Sequence, residues 1–148
     1  MGCDIHIVVE RRKKGRANWV GLYSSDAAYP IIRKNMIAAR RDYAFFACVA
    51  GVRGEAPNGV KKMYPRNLPE DMSELTREQF WRCPTDYHSA SHATPQEFCQ
   101  QWIAANGTRE EPFQSKDVRP DYAVYDLLGV DPTDEDGDEF RVVFWFDN

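Results

Sequence analysis

Cys3-Asp-Ile-His-Ile-Val-Val-Glu10 and Phe140-Arg-Val-Val-Phe-Trp-Phe146 stand near opposite ends of the chain, and their reading decides the fold. The first is dominated by β-branched residues whose side chains alternate with period two, the pattern of a strand. One face then carries Cys3, Ile5, Ile7 and Val9, and the other carries Asp4, His6, Val8 and Glu10. Arg11 to Asn18 is a polar turn containing glycine, after which Trp19 to Tyr23 returns as a hairpin partner. The second run is a strand, and both runs are apolar enough to pair at the centre of a sheet.

Between them the signals are helical. Asp42 caps an apolar stripe of Tyr43, Phe46, Ala47 and Ala50 that stops at Gly51. Ser73 to Trp81 forms a short helix. Thr94-Pro-Gln-Glu97 is a capping box launching a helix through Ala105, with Phe98, Cys99, Trp102 and Ile103 on its apolar face and Asn106-Gly107 as its stop. Tyr122 to Leu128 suggests another helix, and Asp131 to Glu139 an acidic, solvated turn. Val52 to Asp71 is rich in Gly and Pro without periodicity, and Cys83 to His92 reads as a second loop. The expected fold is α+β: one domain over residues 1–148, with a small antiparallel sheet of the N-terminal hairpin plus the C-terminal strand, covered by helices on one face.

Composition narrows the function. The 148 residues are 43% hydrophobic and 28% charged, the balance of an ordinary globular domain. A formal net charge of −4 argues against nonspecific coating of a long nucleic acid. No apolar run approaches the ~20 residues of a membrane span, and the first residues lack the order of a signal peptide, so a cytoplasmic protein is expected. Cys3, Cys48, Cys83 and Cys99 form no C-x-x-C pair, so neither a zinc site nor a disulfide framework is signalled. Aromatic residues make up 13% of the chain, including four Trp, a surplus that can line a binding cleft or a partner copy's surface, as in a homo-oligomer.

Two groups of residues carry candidate chemistry. Asp4, His6 and Glu10 share one strand face, where same-side positions lie about 6.6–7 Å apart and can converge on one ligand. The plain alternative is a solvent-facing strand. Asp86-Tyr-His88-Ser89-Ala-Ser91 precedes a helix start, with Asp86 placed to orient His88 as a general acid or base. Here the plain alternative is a capping loop. Arg53 and Arg66, in the long loop with Lys61 and Lys62, offer the planar fork that suits phosphate.

These groups fit three mechanisms. A divalent metal site would draw on His6, His88, Asp4, Glu10 and Asp86, although no ligand-spacing motif is present. A metal-free phosphodiesterase would use two histidines. His6-Ile-Val8 and His92-Ala-Thr94 are similar to the paired H-x-T/S motifs of the 2H phosphoesterases, with Val8 in place of a hydroxyl. A nucleophilic Cys3 would face away from His6. Walker and G-x-G-x-x-G loops are absent. The combination predicts a nucleotide-type small molecule, with His6 and His88 as catalytic acid and base, Asp4 and Asp86 as their carboxylates, and Glu10, Arg53, Arg66, Ser89 and Ser91 holding substrate.

Met1-Gly-Cys-Asp-Ile-His6, Arg41-Asp-Tyr-Ala-Phe-Phe46, Ala50-Gly-Val-Arg-Gly54, Pro65-Arg-Asn-Leu-Pro-Glu-Asp71, Asp86-Tyr-His-Ser-Ala-Ser91 and Phe144-Trp-Phe-Asp-Asn148 span most of the chain. Together they resemble a family of small bacteriophage and prophage proteins with no assigned activity. The resemblance associates an aromatic residue with the position of His92 and a glycine with that of Asn67, which leaves His6 and His88 as the favoured pair. It implies an antagonist of host defence that degrades a cyclic or ADP-ribose-type nucleotide signal. The alternatives are a non-catalytic sponge for such a signal, and an acidic inhibitor of a host enzyme presenting Asp131 to Glu139.

Overall fold

The computed structural model describes residues 2–25, 41–57, 59–106, 128–131 and 134–147. Seven elements follow in order: β1 (Ile5–Arg12), β2 (Val20–Ser24), α1 (Tyr43–Ala50), α2 (Glu74–Phe80), β3 (Tyr87–Ala93), α3 (Pro95–Asn106) and β4 (Glu139–Asp147). The strands form one antiparallel sheet in the order β2-β1-β4-β3. The two terminal runs therefore pair at its centre, with Ile5 opposite Phe146, Ile7 opposite Phe144 and Val9 opposite Val142.

That register sorts the side chains. Ile5, Ile7, Val9, Phe144 and Phe146 point to one face, where α1 and α3 bury Phe45, Phe46 and Phe98 against them. The other face carries Val8, Val143 and Trp145, packed beneath Leu68 and beneath Leu75 and Phe80 of α2. Helices thus cover both faces rather than the one expected. The cause lies in β4, whose Val142 to Phe146 are all fully buried, so a layer is needed on each side. Gly21 of β2 allows the close approach of α2, since a Cβ there would overlap the Leu75 side chain. The result is a small single-domain α+β arrangement, and no helix among the described residues is long and apolar enough to cross a membrane.

The local signals act as their chemistry dictates. Asp42 caps α1 by accepting from Phe45 N at 3.1 Å, and Gly51, at φ 65°, ends it. Thr94 and Glu97 close the capping box of α3 reciprocally, at 3.0 and 3.1 Å. The described residues of the long segment after α1 lie in no helix or strand, and the segment is fastened to the edge strand β3. Met63 N donates to Cys48 O at 2.8 Å, and Arg66 N to Ser91 Oγ at 3.0 Å. The second expected loop, Cys83 to His92, differs: most of it is β3. Its Ser, His and Ala residues have little strand preference, and pairing with β4 supplies the backbone partners instead. An extra residue bulges between His88 and Ser91, and Ser89 stands at φ 55°. The helix expected at Tyr122 to Leu128 lies, except for Leu128, outside the described residues, as does the Gly107 stop.

One polar group is built into this frame. Glu10 is fully buried and sits opposite Arg141 in the β1–β4 register. Its Oε1 accepts from Arg141 Nε at 2.5 Å. Its Oε2 accepts from Ser73 N at 2.6 Å and Thr76 Oγ1 at 2.7 Å, at the start of α2. Arg141 continues to Asp71 Oδ1 at 2.8 Å and lies 4.0 Å from the Trp19 ring centroid. Removing Glu10 would leave Arg141 with Asp71 alone and Ser73 N and Thr76 Oγ1 without this acceptor, and breaking a buried pair of this kind costs about 3–5 kcal/mol. Glu10→Ala should therefore lower the free energy of urea unfolding by about that amount, whereas the exposed Glu55→Ala should change it by less than about 0.5 kcal/mol. Equal effects from the two variants would contradict a structural role for Glu10.

Candidate functional site

A cleft of about 470 Å³ opens where β1 and β3 begin and β4 ends, lined by Asp4, Arg41, Cys83, Asp86, Tyr87 and Asp147 among others. Asp147 is the residue that sequence reasoning missed. It follows the apolar run of β4, and the antiparallel register brings it beside Asp4. Its Oδ1 accepts from Asp4 N at 3.0 Å, and its own N donates to Asp4 O at 3.1 Å. Its Oδ2 lies 2.7 Å from His6 Nε2. The His6 ring stacks on Trp145, with centroids 5.9 Å apart, and tilts against Tyr87 at 5.0 Å. Arg41 grips the Asp4 carboxylate at 2.9 and 3.3 Å, a hydrogen-bonded pair that holds Asp4 below the usual carboxylate range. The cleft thus gathers Asp4, Asp86 and Asp147, and Asp147 reaches from it to His6. Among the described residues no group of three or more His, Cys, Asp or Glu side chains is arranged to hold a metal ion.

His88 does not join them. It pairs with Phe146, and its ring stacks there at 6.2 Å on the α1/α3 side of the sheet. His6 pairs with Trp145, the neighbouring residue of β4, and so lies on the α2 side. Adjacent residues of a strand face opposite ways, so the sheet stands between the two imidazoles. They cannot serve as acid and base on one phosphate, which corrects the expected catalytic pair.

The remaining candidates are dispersed. Ser89 Oγ lies 3.0 Å from His88 Nδ1. Ser91 is fully buried, with its Oγ accepting from Arg66 N. Glu10 gives both carboxylate oxygens to the chain's own donors, so neither it nor Ser91 is placed to hold substrate. Arg53 lies over the Tyr43 ring at 5.8 Å and does not line this cleft. His92 Nδ1 lies 3.0 Å from Asn67 O, a contact that fastens the long segment to β3.

A second cleft, of about 320 Å³, lies between that segment and α3. Lys61, Lys62, Tyr64 and Arg66 form one wall, and Glu97, Gln100 and Gln101 the other. Arg66 pairs with Glu97 through Nη1 at 3.0 Å and Nη2 at 2.7 Å, and its Nη1 also donates to His92 O at 3.3 Å. Lys61 and Lys62 are exposed and have no carboxylate partner among the described residues. With Glu97 counted, three cations face one anion. Tyr64 is 73% exposed, the most exposed large hydrophobic residue described, and provides a stacking face beside the cations.

The acidic turn has local partners. Glu139 is held by Arg12 Nη2 at 2.9 Å to both oxygens, and Asp138 Oδ1 accepts from Lys14 N at 3.1 Å. Part of the charge assigned to an inhibitory surface, that of Glu139, is therefore balanced by Arg12 at the end of β1. Comparison with protein-family models, curated proteins and solved structures returns no match.

Two outcomes follow. Cys3, Cys48 and Cys99 are buried, and burial pushes the Cys99 thiol up to about 12, whereas Cys83 is exposed at the first cleft. One thiol per folded chain should react rapidly with a disulfide reagent at pH 8, and Cys83→Ser should abolish that phase. Retention of the fast phase would contradict the placement. Arg66 and the Thr94 backbone hold Glu97 at about 2, below its ordinary 4.5. A depressed folded-state value contributes stability above the ordinary value and loses it as pH falls through the folded one. Glu97→Gln should thus be less stable than the parent at pH 7, with the gap closing between about pH 4.5 and pH 2. A gap that stays constant over that range would contradict the ion pair.

Proposed function

We propose that the chain binds a nucleotide-type phosphate ligand in the cleft between residues 61–66 and α3, and holds it intact. The observation that carries this reading is that Lys61, Lys62 and Arg66 line one cleft together with the exposed Tyr64. Phosphate oxygens are recognised by ammonium and guanidinium donors, and bases by aromatic faces. The cleft is of the size of a small-ligand site. The first cleft is less suited to phosphate, because Asp4, Asp86 and Asp147 outnumber Arg41 there. Retention is favoured over hydrolysis because the two histidines expected to act together lie on opposite faces of the sheet. The resemblance to small phage proteins adds the expectation that the bound nucleotide is a defence signal of the host.

The test is to incubate the purified chain with cyclic dinucleotides, cyclic trinucleotides and ADP-ribose derivatives, and to separate the mixture by chromatography before and after heating. An intact ligand should leave the free pool and return when the protein is denatured. A new product would overturn retention, and an unchanged panel would overturn nucleotide binding. Replacing Lys61 and Lys62 together by Ala should weaken binding about tenfold or more and flatten its dependence on salt, since released counterions account for part of the affinity.

A further inference from the structure

Arg66 is only partly used by its own chain. A guanidinium carries five N–H donors in a rigid planar array. Three are engaged, two of Nη1 and one of Nη2, with Glu97 and His92 O as acceptors. The two that remain, Nε–H and the second Nη2–H, lie along one edge of the group and form another fork for an oxyanion. Glu97 therefore fixes one edge of Arg66 and leaves the adjoining edge for a ligand. The side chain is 41% exposed and lines the cleft, so that edge is within reach of a bound molecule.

Lys62 stands four residues earlier, and four residue steps span at most about 14 Å. Tyr64 lies midway between them along the segment. The wall thus has the order cation, aromatic ring, cation, with Lys61 reinforcing the first. A nucleoside 5′-diphosphate carries both phosphates on one side of its base and can satisfy only one end of that order. A nucleoside phosphorylated on both its 3′ and 5′ sides can satisfy both.

We infer that the cleft takes a nucleoside bracketed by two phosphates, the unit found in cyclic dinucleotides, with its base on Tyr64, one phosphate on the open fork of Arg66 and the other on Lys61 and Lys62. This rests on the nucleotide reading of the same cleft and adds the placement of the phosphates. It distinguishes ligands of equal phosphate number. It also assigns Arg66 two simultaneous duties, anchoring the segment through Glu97 and receiving ligand through its other edge.

Calorimetric titration with adenosine 5′-monophosphate, adenosine 5′-diphosphate and adenosine 3′,5′-bisphosphate tests it on the full chain. The 3′,5′-bisphosphate should bind about tenfold or more tightly than the 5′-diphosphate, although both carry two phosphates. Replacing Lys61 and Lys62 together by Ala, an exposed change that leaves the Arg66–Glu97 anchor in place, should bring the 3′,5′-bisphosphate down to the level of the monophosphate. Equal binding of the 3′,5′-bisphosphate and the 5′-diphosphate, or a 3′,5′-bisphosphate indifferent to loss of both lysines, overturns the bracketing while nucleotide binding stands. No binding of any of the three probes overturns both.

Discussion

The rest of the structure depends on the pairing of β1 with β4, and the Glu10–Arg141 contact fixes its register. The two residues face each other across the strands, and Glu10 also receives Ser73 N and Thr76 Oγ1 at the start of α2. A slip of one residue would turn every side chain of a strand to the opposite face. It would expose Ile5, Ile7 and Val9 to the α2 layer and bring His6 and Glu10 under α1 and α3. The buried carboxylate makes such a slip costly, because its donors come from two different elements.

That register also determines what the candidate residues can do. It sets Asp147 beside Asp4 and His6, and it sends His6 and His88 to opposite faces. β3 then connects the two clefts: Tyr87 and the preceding Asp86 belong to the acidic one, while Ser91 and His92 fasten the segment that forms the basic one. Ser91 Oγ, Asn67 O and the Glu97 carboxylate hold Arg66 and its neighbours against the edge strand. Lys61, Lys62 and Tyr64 are thereby presented on a supported wall, although they lie in no helix or strand.

What could be read from sequence was what local chemistry determines. The Asp42 and Thr94 caps, the Gly51 stop, the first hairpin and the apolar run of β4 each depend on neighbours within a few residues. β3 was illegible because its partner lies about fifty residues away and its Ser, His and Ala residues carry no strand signal. The second apolar face was written in Val8, Val143 and Trp145, yet period-two reading assigned Val8 to a polar row. Arg66 was singled out as a phosphate ligand, but its pairing with Glu97 joins two segments whose proximity no spacing rule predicts. Lys61 and Lys62 were visible as basic loop residues, and Tyr64 only as part of an aromatic surplus. Asp147 could have been found by carrying the alternation of β4 one residue beyond Phe146.

The most direct measurement is a map of backbone amide chemical shifts during titration with adenosine 3′,5′-bisphosphate. The account predicts saturable changes confined to residues 61–66 and to Glu97, Gln100 and Gln101, with Asp4, His6 and Asp86 unmoved. Changes centred on Asp4, His6, Asp86 and Asp147 would contradict it and transfer the ligand to the acidic cleft.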